Sequence, residues 1–481
     1  MDTKSTLGVA VPPRRVADLP GPRGWPLLGN LFQIDLPSMH LQLEAWADIW
    51  GPLYRLRLAN RDVLVVTRTD LIASILRDRP DGWRRLRKLR AVLDEMGPPG
   101  LFAAEGDPWR RQRRLVASAF APGTLKRYFS LIERVTERLK ERLDEAARRG
   151  EWIDLQGLLM RYTVDVTASL AFGIDVNTLQ QSGDALQKHL DKVLPTLMRR
   201  IHAPFPYWHY FKLPSDRAFD RDLAICHAAV AGFIQTARDR MAVDLALFAH
   251  PTNMLEAMLA ARDAEGGGLS EGEVVGNVLT MLIAGEDTTA NTLAWTLYLL
   301  RQHPETWREL VAEAEAAIGR EPLARSFVVA DGLCVAEDCA NEAMRLRPVA
   351  PVLFLENNKV CEIDGIALPA DSFVICVMRS GAVDTATAPD AGDFRPSRWR
   401  IPMDPADQTL TMASFPFGGG PRICPGRYLA MIEMKMVLSM LARNYDLIEV
   451  GTEDGKPPCE RLAFAMSPVG LRMKLAMRAD P

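Results

Sequence analysis

The chain has 481 residues, 48% of them hydrophobic and 25% charged, with a formal net charge of −3. That balance describes a globular protein with a large core and removes any whole-molecule attraction to nucleic acid or an anionic membrane. Seven cysteines, odd in number and without a CxxC pair, argue for a reducing compartment and against a disulfide framework or a zinc site.

Residues 1–18, MDTKSTLGVAVPPRRVAD, hold one short apolar stretch broken by prolines, far below the roughly 20 apolar residues of a spanning helix. They read as a flexible N-terminal segment of a cytosolic protein without a transmembrane anchor. From 19 to 481 no linker divides the chain, so one large domain is expected. Residues 19–30, LPGPRGWPLLGN, run extended, and LYRLRLANRDVLVVT alternates around Ala59-Asn60 as a hairpin. From Asp107 the pattern turns helical through DPWRRQRRLVASAF and a long helix stopped at Gly150, and it continues over roughly 155–245. The basic run WRRLRKLR (83–90), with Arg110, Arg111 and Arg114, suggests a positive patch.

Ser270, with Glu273 three residues on, writes a capping box, and Pro304 sets the end of a helix of roughly 32 residues, about 48 Å long. Its apolar stripe through Val275, Leu279, Leu282, Ala290 and Leu293 is interrupted by Glu286, beside Asp287, Thr288 and Thr289. A carboxylate in a core costs several kcal/mol unless paired, and threonines that bond back to the i−4 carbonyl open a helix locally, with Gly285 weakening the same turn. A groove admitting water or a small ligand is expected there. Glu342 and Arg345 then lie one turn apart, a spacing that lets them pair, and Pro351–Met378 gives way to strand signals. The expected fold is mainly α with a minor antiparallel β region.

Near the C-terminus FPFGGGPRICPG presents Cys424 after a turn rich in glycine and proline, just before the helix-forming run RYLAMIEMKMVLSMLA. With the helix starting at Pro425 or Gly426, the thiol meets free N–H groups and the positive dipole end, and Arg422 adds a cation, so its pKa should fall below about 8.5. Taken alone, a cysteine in such a turn is more often a small buried hydrophobe.

Phe417, Gly420, Arg422, Cys424 and Gly426 form F-x-x-G-x-R-x-C-x-G, which resembles the haem-binding signature of the cytochrome P450 monooxygenases. AGEDTT (284–289) resembles the oxygen-binding stretch of that family's central helix. The resemblance extends over nearly the whole chain, with five motifs in the family order, and implies the cytochrome P450 fold with haem b bound by Cys424 as axial thiolate.

Carried over residue by residue, Phe417, Gly418, Arg422 and Gly426 bed the haem, Ala284 and Gly285 face it, and Asp287 and Thr288 are the acid and hydroxyl that deliver protons to dioxygen. Trp109 and Arg113 match the W-x-x-x-R that holds a haem propionate. Glu342, Arg345 and Arg398 are a structural lock. Val352, Leu353, Phe464, Ala465 and Met466, with Ala284 and Thr288, are candidates for a substrate pocket, and 190–225 for its lid. One departure is that PVLFLENN (351–358) has Leu355 and Glu356 where an arginine often serves the second propionate.

The implied reaction is hydroxylation or epoxidation of a lipophilic small molecule. No GxGxxG motif or ferredoxin-type cysteine spacing is present and about fifty residues follow the haem segment, so electrons are expected from separate proteins, a ferredoxin and its NAD(P)H-dependent reductase. A peroxygenase or isomerase of the same fold, and a Cys-Pro haem sensor, are the rival readings.

Overall fold

The computed structural model describes residues 13–181, 185–203, 205–263 and 269–478. Leu53–Leu58 (β1) and Arg61–Val66 (β2) make the expected hairpin, turning through Ala59 at φ 54°. Trp83–Arg85 (β3), Val352–Asn357 (β4) and Phe373–Val377 (β5) complete a five-stranded sheet in the order β1-β2-β5-β4-β3. Its pairs are antiparallel except β2 with β5, which the long, mostly helical connection brings side by side in the same direction. Leu64, Val66, Leu355, Val374 and Cys376 form the core under this sheet.

The helices that matter for the site are Arg87–Asp94 (α1), Gly106–Ala119 (α2), Pro122–Arg149 (α3), Leu155–Phe172 (α4), Ala185–His202 (α5), Pro214–Val243 (α6), Glu271–Gln302 (α7), Pro304–Ile318 (α8), Cys334–Leu346 (α9) and Arg427–Asn444 (α10). Local chemistry sets their ends. Pro122 opens α3, where its missing N–H costs nothing, and Gly150 closes it at φ 63°. The Ser270 hydroxyl accepts from the Glu273 N–H while the Glu273 carboxylate accepts from the Ser270 N–H, so α7 begins on the expected capping box.

α7 then runs 32 residues without a break, packed along α4, α9 and α10, inside a core that extends from Leu101 to Leu475. The segment Pro98–Gly100 lies directly on it: a Cβ at Gly276 would meet the Pro98 carbonyl oxygen at 2.1 Å. Glycine is required there by backbone contact.

At the N-terminus, Arg14–Arg15 pair in parallel with Ile366–Ala367, so ordered chain begins inside the stretch expected to be flexible. Residues 1–12 lie outside the described residues. Among the described residues no helix is long and apolar enough to cross a membrane.

Candidate active site

Two glycines shape the turn before Cys424. Gly418 and Gly420 stand at φ 72° and 62°, and a Cβ at Gly420 would lie 2.2 Å from the Leu76 carbonyl oxygen. The Cys424 N–H donates to Phe417 O at 2.9 Å, and α10 starts at Arg427, later than Pro425 or Gly426. Of the helix N-terminal donors, the Gly426 N–H reaches the sulfur.

The expected fall in the thiol pKa is opposed by the surroundings of Cys424. Burial pushes the Cys424 thiol up, outweighing the Gly426 N–H and the cations Arg113 and Arg427. Arg422 plays no part in this, because its guanidinium turns to the Glu105 carboxylate and Ala104 O and lies 4.6 Å over the Trp109 ring.

Cys424 opens on an internal chamber of about 830 Å³. Phe417, Gly418, Arg422 and Gly426 share its wall with Cys424, and α7 contributes Ala284, Gly285 and Thr288. Trp109 and Arg113 come from α2, Val352 and Leu353 from β4, and Phe464 and Ala465 from the last hairpin. Two expectations fare differently. Met466 is fully buried behind the wall, its N–H donating to Val349 O at 2.7 Å, and Asp287 is half-buried beside Thr288 without lining the chamber.

The expected lid is placed in part. Pro195, Leu197, Met198, Arg199, Ile201 and His202, in the last turns of α5, line the chamber, whereas Trp208 packs on the Arg200 guanidinium and donates to Glu95 at 2.7 Å.

The threonines of α7 do not open the helix. Thr288 donates to Ala284 O at 3.0 Å, and the helix hydrogen bonding is continuous around it. Glu286 is 2% exposed, as its place in the stripe demands, and its carbonyl accepts from Thr163 Oγ1 at 2.8 Å. A second buried acid was not foreseen. Glu433 on α10 lines the chamber, accepts from the Thr289 hydroxyl, and is held well above the usual carboxylate range by burial.

Sequence reasoning also missed the arginines. Arg79 and Arg85 line the chamber with Arg113 and Arg422, and burial pushes all four guanidinium groups down, Arg422 to about 10. Arg85 is lowered further by repulsion from Arg79 and Arg422, with Glu105 the acid that opposes it. Arg79 leaves Nε and Nη2, and Arg422 leaves Nε and Nη1, buried without a hydrogen-bond acceptor. A cation-rich, under-satisfied cluster of this kind matches an anionic ligand. Leu355 and Glu356 turn elsewhere: Leu355 is core, and Glu356 binds Arg61 at 2.8 Å and Arg84 at 3.4 Å.

The expected positive patch is largely cancelled. Arg84 and Arg87 pair with Asp371 and Glu356, Arg90 with Asp94, Arg110 with Asp81 and Asp107, and Arg111 with Glu273.

Away from the chamber, Glu342 and Arg345 form a bidentate pair at 2.7 and 2.8 Å, both fully buried. Arg398 adds its Nε to Glu342 at 3.2 Å and its Nη1 to Asp407 at 2.5 Å, and Trp399 donates to Glu342 at 3.0 Å. Every carboxylate oxygen of Glu342 is used, which ties α9 to the segment 390–407.

Residues 19–475 match the Cytochrome P450 family model. Among curated relatives, Protein LUTEIN DEFICIENT 5, chloroplastic, of Arabidopsis thaliana is 28% identical over 452 residues, covering 90% of this chain and 73% of that protein. Cytochrome P450 3A5 of Homo sapiens is 25% identical, covering 89% of this chain and 85% of its own. The Bifunctional cytochrome P450/NADPH--P450 reductase of Gibberella moniliformis is 26% identical over 96% of this chain but 40% of its own length. The crystal structure of a Cytochrome P450 (CYP102L1) superposes with a TM-score of 0.81 at 23% identity, covering 97% of this chain and all of that one. A whole-length family match, the shared fold and a cysteine opening on a chamber under α7 agree: this chain belongs to the cytochrome P450 family, the haem-thiolate monooxygenases.

Proposed function

We propose that the chain holds haem b through Cys424 and inserts one oxygen atom of dioxygen into a lipophilic small molecule, by hydroxylation or epoxidation. The other atom leaves as water, so each turnover consumes two electrons and two protons. The observation that carries this reading is that Cys424 and Thr288 open on one chamber whose margin carries buried guanidinium groups with unmet N–H donors.

The residues present fit the cofactor. Cys424 supplies one sulfur ligand, Phe417, Gly418 and Gly426 leave a low surface around it, and Ala284 permits close approach from α7, where Gly285 makes room for Thr167 of α4. Trp109 and Arg113 are assigned to one propionate. Arg79, Arg85 and Arg422 are assigned to the second, in place of the arginine that β4 lacks. Bidentate guanidinium groups suit carboxylates, and two of these would offset the excess charge. When bound, the haem supplies the redox centre at which dioxygen is reduced.

The protein's own residues supply protons and exclude water. Thr288, whose hydrogen is spent on Ala284 O, offers its lone pairs to a water in the chamber, and Asp287, half-buried beside it and outside the chamber wall, is assigned the supply of protons. The apolar wall of Val352, Leu353, Phe464 and Ala465 receives the substrate. Glu342, Arg345 and Arg398 hold α9 in place and take no part in chemistry.

Electrons come from a ferredoxin and its NAD(P)H-dependent reductase in the cytoplasm. A surface hollow of about 790 Å³ next to Pro421 is lined by Arg77, Arg79, Arg110, Arg111, Arg113 and Arg114 against Asp78, Asp81 and Asp107, and the arginines left over after pairing suit an acidic donor.

The test is the carbon monoxide difference spectrum of dithionite-reduced wild type and Cys424→Ser. A thiolate-type band lost in the variant supports the assignment; an imidazole-type band, or no haem, overturns it.

A further inference from the structure

The hydrogen-bonding inventory of the chamber narrows the substrate. Along α7 three wall threonines spend their hydrogens on the helix itself, Thr280 on Gly276 O at 2.7 Å, Thr288 on Ala284 O at 3.0 Å and Thr292 on Thr288 O at 2.9 Å, while Thr289 gives its own to Glu433. Each hydroxyl therefore offers the chamber lone pairs only.

His202, at the end of α5, repeats the pattern. Its Nδ1 lies 2.8 Å from Met198 O, and since a carbonyl can only accept, Nδ1 carries the hydrogen and Nε2 is a bare acceptor. The ring lines the chamber among Leu197, Met198 and Ile201, and no protein donor to Nε2 is found among the described residues. The nearest chamber cation on the same helix, Arg199, is committed to Tyr207 Oη at 3.1 Å and Asp216 at 3.3 Å.

Resting on the haem-monooxygenase reading, we propose that His202 determines specificity: its Nε2 accepts a hydrogen bond from a hydroxyl of the substrate, so the chamber selects lipophilic alcohols over ethers, hydrocarbons and carboxylates. A hydrocarbon leaves the Nε2 lone pair buried and unpaired, and a carboxylate brings more lone pairs and a charge to desolvate. An alcohol supplies the missing hydrogen. Burial supports this by holding the His202 pKa below its ordinary value, against the hydrogen bond to Met198 O and with the Lys88 cation adding to the effect, which favours the neutral ring. Arg461, exposed at the chamber rim, is the group a carboxylate would use, which makes a carboxylate the informative competitor.

The experiment uses the haem-loaded protein and three probes of one chain length: 1-dodecanol, methyl dodecyl ether and dodecanoate. Dissociation constants are read by titration calorimetry on wild type, His202→Phe and His202→Gln, with haem content and the carbon monoxide band checked for each. The alcohol is expected to bind wild type about five- to ten-fold tighter than the ether, the worth of one neutral hydrogen bond. His202→Phe should bring that ratio to about one without weakening the ether, and His202→Gln, which keeps an acceptor, should retain part of it. Equal alcohol and ether affinities in wild type, a preference that survives His202→Phe, or tighter binding of dodecanoate than of the alcohol overturns the inference while the monooxygenase reading stands. Loss of the thiolate-type band in wild type overturns both.

Discussion

Thr289 on α7 donates its hydroxyl to the carboxyl of Glu433 on α10, joining the helix that carries Thr288 to the helix that follows Cys424. Glu433 is 2% exposed, and one threonine hydroxyl does little against the cost of burying a charge there. Burial therefore favours the neutral carboxyl in the folded chain, whereas the unfolded chain ionises it in the ordinary carboxylate range.

That difference gives stability a pH dependence of known sign. With its folded pKa raised, the Glu433 contribution is complete below the unfolded carboxyl pKa of about 4.3 and is lost as pH rises toward the folded value, by up to about 1.4 kcal/mol per pH unit. Glu433→Gln keeps the shape and removes the ionisation. Denaturant unfolding between about pH 5 and about pH 9 should show the variant gaining on wild type as pH rises. Parallel curves would mean that the folded chain carries an ionised carboxylate.

The arginine cluster predicts opposite effects with and without haem. Arg79→Gln removes a buried cation from a group in which Arg85 and Arg422 repel one another, so the haem-free chain should melt at a higher temperature. In the haem-loaded protein it removes a charged hydrogen bond of about 1.5–3 kcal/mol, and transfer of haem to an excess of apomyoglobin should quicken by roughly ten- to a hundred-fold. A shift of the same sign in both forms would remove Arg79 from the cofactor's partners.

Glu342→Gln leaves Arg345 and Arg398 fully buried with half of their carboxylate lost. Breaking a buried ion pair on one side costs about 3–5 kcal/mol. Arg114→Gln, on an exposed face of α2, should stay within about 0.5 kcal/mol. Chemical denaturation separates the two, and a loss at Glu342 no larger than that at Arg114 would show that the trio does not hold the fold.

What the sequence revealed follows from how far each interaction reaches. The Ser270–Glu273 box and the Gly150 stop are decided within one helical turn, so they are legible from the residues alone. The spacing of Glu342 and Arg345 is legible, but their burial is not, because the same spacing occurs on exposed helix faces. Glu433 carried an unread signal. It lies four residues after Leu429 and three before Met436, inside the apolar stripe of α10, which is the same kind of interruption that singles out Glu286. Arg79 and Arg85 carried none, since only the folded sheet brings β3 and the chain before it to the chamber. The basic run 83–90 misled because Glu356 and Asp371, which neutralise Arg84 and Arg87, lie far along the chain. The direction of the thiol shift failed for a related reason: a dipole is read from the helix start, whereas depth is not.

Where Pro98–Gly100 rests on α7 at Gly276, main chain touches main chain. A wall of that kind has no rotamers to exchange, and any ligand pressing on it meets something close to a rigid plate. The boundary formed by Leu197, Met198, Ile201 and His202 on α5 is built of side chains that rotate individually. Molecules of different girth are thus accommodated where side chains form the wall, and a change in the breadth of compounds accepted is to be sought by altering α5 rather than the glycines.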